Sequence, residues 1–325
     1  MIQIIRDRGI AGILIGVLLL VFSKVFFEPV PDFIQVTYTP LFSSLNSSIE
    51  HIPNLSIFLG LAFIVLQAGL LTYVLNYHKA ISERSYFSFI LYILFAGVYN
   101  EQFYLNPASF LNFFLLLILE RMLRLQDIGK NPGVLFLDIG TLMGLAVLFS
   151  KEAIFYIPII IIGCLIIYSS SIQRIAILLL SVFMVLFLTA CTYFLFGKFD
   201  QFGLFFKFIP INFSLNFSHW QERFYILLLI FILASFISFF HYQFRSKKIT
   251  NKSRRFAGVF VLLWFIGMAI VLFQNLNLWY NMALIVIPLT VFSTNYFQDT
   301  TGKDWFKNLL FVILILSLAN IQINY

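Results

Sequence analysis

The chain has 325 residues, of which 61% are hydrophobic and 11% charged, and a formal net charge of +7. A water-soluble domain of that size has too little polar surface to cover so much apolar mass, which argues against every soluble class. The positive balance is the excess that the positive-inside rule produces in a membrane protein, so no nucleic-acid partner is inferred from it.

Apolar stretches recur along the whole sequence at roughly the length that crosses a hydrocarbon core of about 30 Å. Runs such as Ile159–Ile162 and Leu227–Ile232 lack the residue-by-residue alternation of a barrel strand. The expected fold is therefore all-α: a polytopic helical membrane protein forming one integral membrane domain over residues 1–325. In chain order the crossings are expected at 9–27, 55–77, 85–99, 108–120, 133–149, 154–170, 175–196, 223–240, 256–273, 280–295 and 308–324. The first of these follows Arg6 and Arg8 but is long and lacks a small-x-small cleavage site, so it reads as a membrane helix and not a signal peptide.

Arg6 and Arg8 place the N-terminus on the cytoplasmic side. With eleven crossings, 16 of the 21 Lys and Arg residues then fall on that side, including six between Arg245 and Arg255. Lys24, Lys151, Lys198, Lys207 and Arg223 are the exceptions. The sorting places the chain in a cytoplasmic (inner) membrane, and an odd count does not divide into two equal inverted repeats.

Two outer gaps are long, 28–54 and 197–222. In the first, Thr39 and Pro40 give a helix-start signal. Leu41, Phe42, Leu45 and Ile49 then recur at helical spacing among serines, which predicts an amphipathic helix on the outer boundary. In the second, Ile211, Phe213, Leu215 and Phe217 alternate with polar residues, predicting an extended segment. Trp220 and Trp279 are expected near the outer boundary and Trp305 near the inner one.

The outer side gathers Glu28, Asp32, Glu50, Glu101, Glu152, Asp200 and Glu222. Glu28 and Asp32 follow the first crossing among prolines that fix the backbone, where a carboxylate can act as a general base or hold a divalent metal. Glu101 lies in the next outer gap. Lys151 and Glu152 occupy a tight outer turn, where the lysine can meet a lipid phosphate or pair with a carboxylate. His219, Trp220 and Arg223 close the second long loop, with the arginine suited to bidentate phosphate binding. Asp138 lies about five residues inside its helix, placed either to reach cytoplasmic water, to pair with another helix, or to couple ions. Gly140 and Gly144, like Gly12 and Gly16, have the spacing that permits close helix packing. The basic run 245–255 reads as an orientation signal in contact with anionic lipid, with docking of a cytoplasmic protein as the alternative. Cys164 and Cys191 lie in apolar runs without metal-ligand spacing. No P-loop, dinucleotide fingerprint, zinc-ligand pair or serine elbow is found in the sequence.

This layout resembles the glycosyltransferase C superfold, integral membrane enzymes that take sugars from polyprenyl-phosphate donors. The resemblance rests on the cytoplasmic N-terminus, the acid soon after the first crossing, the boundary helix at 40–51 and the turn Leu148-Phe149-Ser150-Lys151-Glu152-Ala153. It implies that Asp32 is the catalytic acid, that Glu101 is a second acidic position, and that Lys151 and Arg223 contact the lipid phosphate. Glu28, Glu152 and His219 would line the substrate site. The first loop departs from the family pattern in having no Asp-Asp or Asp-x-Asp pair. The chain also looks like multi-pass membrane proteins of Bacteroidota that carry no assigned activity. Two other functional classes remain open from sequence: a non-catalytic subunit of an insertion, secretion or envelope-assembly machine, and a small-solute or lipid transporter working through Asp138.

Overall fold

The computed structural model describes residues 39–49, 53–80, 86–97, 103–127, 131–168, 171–205, 251–273 and 283–298, together with positions 236, 240 and 311. Over these residues the chain is all-helical. The helices are α1 (Pro40–Ile49), α2 (Pro53–Tyr77), α3 (Phe87–Ala96), α4 (Pro107–Arg124), α5 (Pro132–Phe149), α6 (Ala153–Ile167), α7 (Ile172–Leu195), α8 (Phe199–Phe205), α9 (Asn251–Phe273) and α10 (Ala283–Gln298). Four stretches are long and apolar enough to cross a membrane: Leu55–Tyr77, Pro132–Phe149, Ile172–Leu195 and Arg254–Val271. The apolar helices Phe87–Ala96, Ala153–Ile167 and Ala283–Gln298 are shorter. At 1.5 Å per residue the described part of α3 is about 15 Å long, half of a hydrocarbon core. The chain thus has the several long apolar helices of a multi-pass membrane protein. The expected crossing at 9–27, all of 308–324 but Phe311, most of 223–240, the extended segment 211–218, and Trp220, Trp279 and Trp305 lie outside the described residues.

Local chemistry sets the helix ends. Asn106 caps α4 by accepting from the Ser109 amide at 2.8 Å, with Pro107 in the first turn where its missing N–H is harmless. Asn131 does the same for α5, accepting from Gly133 N at 3.0 Å ahead of Pro132. Arg121 and Arg124 stand in the last turn of α4, where a cation opposes the negative end of the helix dipole.

Neighbouring helices share two ends. Arg121 of α4 reaches Asp138 of α5 at 3.6 Å near one end, while Phe110 of α4 stacks on Phe149 of α5 at 4.4 Å near the other. α4 and α5 are therefore antiparallel. The first of these ends also receives His78 beyond α2, whose ring meets Phe256 of α9 edge-on, and the C-terminus of α6, whose Ile167 carbonyl accepts from Arg255 of α9. Arg174, at the start of α7, lies over the Tyr168 ring at 5.0 Å. We call this the basic end. The far end carries α1, the α5–α6 turn, and the α7–α8 junction.

α10 is the centre of the bundle. Every residue from Ala283 to Gln298 is buried except Tyr296, because α3, α4 and α9 all pack on it. α7 is at the periphery. Only Leu178, Ser181 and Val182 are buried, a stripe at helical spacing that faces α5. Its opposite side, with Leu180, Phe183, Phe187 and Leu188, is exposed and is the surface expected to meet lipid tails. The α5–α7 contact uses the glycines singled out by their spacing. A methyl at Gly140 would sit 2.6 Å from Ser181 Cβ and run into the Leu178 carbonyl, and one at Gly144 would sit 2.7 Å from Val185 Cβ. These two positions have no room for a side chain, which is how the helices reach close contact.

Candidate functional site

Three helix ends meet at the far end. The first is α1. Its leading residue Thr39 is buried, and its hydroxyl donates to the Phe149 carbonyl at 3.2 Å. That carbonyl belongs to the last turn of α5, where the helix has no partner of its own for it. The second is the end of α7, where the Tyr193 hydroxyl donates to the Pro40 carbonyl at 2.9 Å. Phe42 of α1 is fully buried and meets Phe110 of α4 edge-on, with ring centroids 6.1 Å apart. A helix is therefore present where the sequence predicted an amphipathic one, and it is docked onto the bundle by two hydrogen bonds and an aromatic plug. α8 packs beside it, with Phe202 against Tyr193.

The third is the turn Ser150-Lys151-Glu152 between α5 and α6. Ser150 is fully buried and its hydroxyl donates to Glu152 Oε2 at 2.5 Å. Glu152 occupies the N-cap position of α6 without bonding to the α6 amides through its side chain. It is 3% exposed and stands at the positive end of the α6 dipole. Lys151 is half-buried. Desolvation holds its ammonium below the ordinary lysine pKa, and the neighbouring Glu152 carboxylate opposes that shift. One helical turn along α6, Tyr156 is fully buried near Glu152, and its hydroxyl has no hydrogen-bond partner among the described residues.

Of the expected site residues, Lys151, Glu152 and Asp138 lie among the described ones, and Lys151 and Glu152 are neighbours in the chain. Glu28, Asp32, Glu101, His219 and Arg223 lie outside the described residues, as does most of the basic run 245–255. Among the described residues no group of three or more His, Cys, Asp or Glu side chains is placed to hold a metal ion. Asp138 is at the basic end, on the other side of the bundle from this site, in an ion pair with the equally half-exposed Arg121. Arg121 also lies 3.6 Å from Glu120, which pairs in addition with Arg124 one turn on. Pairing with another helix is the arrangement adopted by Asp138.

Sequence reasoning did not single out Ser150, Tyr156 or Tyr193. The i, i+4 spacing of Glu152 and Tyr156 at a helix start was a usable signal. Nor did it find a polar seam in the interior. Tyr92 of α3 donates to Gln67 Oε1 of α2 at 2.6 Å, and Gln67 Nε2 donates to the Ser109 carbonyl of α4 at 2.7 Å. Asn112, also on α4, donates to the Ala283 carbonyl at the start of α10 at 2.7 Å. Polar side chains that bridge helices in an apolar interior hold them in register, and Gln67 was visible as an amide in the middle of a long apolar run.

No curated protein matches this chain. A family model described as a family of unknown function, DUF6427, matches residues 14–324. Since that match runs through nearly the whole sequence, including α1, the Ser150-Lys151-Glu152 turn and the helices that carry them, the chain belongs to the DUF6427 family.

Proposed function

We propose that this protein binds a polyprenyl-phosphate sugar at the far end of the bundle and acts as a glycosyltransferase-like protein of the cytoplasmic membrane. In this reading the basic end is cytoplasmic, the far end is extracytoplasmic, and the full chain makes eleven crossings. The observation that carries it is the boundary helix α1, docked through Thr39 and Tyr193 beside a turn that holds Lys151 half out of water. A partly desolvated ammonium at a membrane boundary gains from an anionic headgroup that restores its lost solvation. At the same level the surrounding apolar helices offer a surface for a polyprenyl tail. Lys151 would stabilise negative charge on the leaving lipid phosphate, which is electrostatic assistance of the kind that preorganised cations provide. Asp32 would orient the acceptor hydroxyl.

Native mass spectrometry of the purified protein in mild detergent tests this. The expected result is retention of undecaprenyl phosphate in preference to phosphatidylglycerol, with the preference lost in Lys151→Met. Equal retention of both lipids, or loss of neither on substitution, overturns the reading. A protein subunit co-purifying at fixed stoichiometry with no bound polyprenyl lipid would replace it with the assembly-subunit class.

A further inference from the structure

The turn that carries Lys151 runs directly into α6, and its hydrogen bonds fix where the lysine stands relative to that helix. The amides of Ala153, Ile154 and Phe155 donate to the carbonyls of Ser150, Lys151 and Glu152 at 3.2, 3.1 and 3.1 Å. Bonds between residues three apart wind the chain at about three residues per turn, so side chains three apart eclipse one another. Lys151 therefore stands over Ile154. At the α-helical pitch that follows, Pro158, Ile162 and Leu165 continue on the same side as Ile154.

That side faces away from the bundle. Ile154 and Ile162 are each 44% exposed and Leu165 43%, and Pro158 is exposed between them. The opposite side, with Tyr156, Ile160, Gly163, Cys164 and Ile167, is buried. Phe155, Ile157, Ile159 and Ile161 are half-buried along the edges. What remains open is a narrow aliphatic band, joined by Ile166 only at its lower end. From Ile154 to Leu165 it runs about 17 Å at 1.5 Å per residue, more than half of a hydrocarbon core of about 30 Å. The exposed side of α7 differs in carrying the rings of Phe183, Phe187 and Phe194.

Lipid tails are as apolar as the band, so apolar contact alone does not choose one tail over another. The choice comes from Lys151 at its head. An ammonium that holds an anionic headgroup there starts the attached tail on Ile154. A phospholipid brings two chains side by side, whereas the band is narrow enough for one. We infer that the band formed by Ile154, Pro158, Ile162 and Leu165 is the track along which the single polyprenyl chain lies when Lys151 holds its phosphate. The inference rests on the reading given under Proposed function and adds the course of the tail.

The test is photocrosslinking of the full-length protein in nanodiscs of phosphatidylethanolamine and phosphatidylglycerol, using undecaprenyl phosphate with a diazirine in its tail. Adducts are mapped by peptide mass spectrometry. They are expected on Ile154, Pro158, Ile162 and Leu165 in preference to the exposed α7 residues Leu180, Phe183 and Leu188. In Lys151→Met the α6 adducts should fall about fivefold, the scale of one lysine's attraction to an anionic headgroup. Phosphatidylglycerol carrying the same diazirine should label α6 and α7 alike, in wild type and variant. If the undecaprenyl probe labels α6 no more than α7, or its α6 adducts persist in Lys151→Met, the track is wrong. Lys151-dependent labelling of the band by phosphatidylglycerol assigns it to ordinary phospholipid and also overturns the track. In those cases selective retention of undecaprenyl phosphate in the native mass spectrum still upholds the phosphate reading. If wild type shows neither α6 adducts nor that retention, the phosphate reading itself falls and the track with it.

Discussion

The two ends of this bundle treat their charges in opposite ways. At the basic end the cations are consumed by the structure. Arg255 donates to the Ile167 carbonyl at 3.1 Å, Arg121 pairs with Asp138 and Glu120, Arg124 pairs with Glu120, and Arg174 lies over Tyr168. At the far end an equivalent helix terminus, that of α5, is satisfied by the neutral hydroxyl of Thr39. The nearby cation, Lys151, is given burial in place of a partner that fully offsets it. Both arrangements solve the same problem, since the last carbonyls of a helix need donors. Where an arginine does this work, the charge also complements the helix dipole. Where a threonine does it, the charge is left over for something else. The difference separates cations that hold the fold from a cation held by the fold.

Substitutions can break this contrast. The largest effect is expected from Gly140→Leu, which drives a branched side chain into the Leu178 carbonyl and Ser181. The cost should be about 3 kcal/mol or more, read as a large fall in melting temperature in detergent and loss of order at both ends together. A smaller effect, about 1 kcal/mol, is expected from Arg255→Met, because Gln126 still donates to Ile167 at 3.3 Å. It should lower the melting temperature without changing lipid binding.

The smallest effect, and one of opposite sign, is expected from Lys151→Met. The pKa of Lys151 in the folded chain lies below 10.5. The unfolded chain therefore holds that proton more tightly, and the folded state carries a penalty wherever the lysine is charged. The variant should melt slightly above wild type at neutral pH. That advantage should fade as pH rises through the folded-state pKa toward 10.5, followed by melting curves across the alkaline range. A variant that melts well below wild type at neutral pH would show that Lys151 is a structural cation like Arg255.

Much of the helical layout was legible because apolar length and end chemistry are local. The expected 55–77, 133–149 and 256–273 correspond to α2, α5 and α9. Asn106-Pro107 and Asn131-Pro132 mark the helix starts in plain sequence. α3 is shorter than the expected 85–99 because it ends at Ala96, with Gly97 as its C-cap. Helix α1 was readable from the spacing of Leu41, Phe42, Leu45 and Ile49, but its docking was not. The bond from Thr39 to Phe149 spans 110 positions, and that from Tyr193 to Pro40 spans 153. No local pattern encodes contacts of that kind. A tight turn at Lys151 could be read from the apolar runs on either side of it. The burial of Glu152 and Tyr156 could not, because it depends on which face of α6 turns inward.

The notches at Gly140 and Gly144 have one more consequence. They index α7 against α5 the way a key is indexed by its cuts, with Ser181 and Val185 seated at fixed heights. A slip of one helical turn would displace α7 by about 5.4 Å along its axis, farther than any hydrogen bond can stretch. Tyr193 would then leave Pro40, and α1 would lose one of its two tethers. Two absent side chains in mid-bundle thus set the height at which a tyrosine about two to three turns above them meets α1.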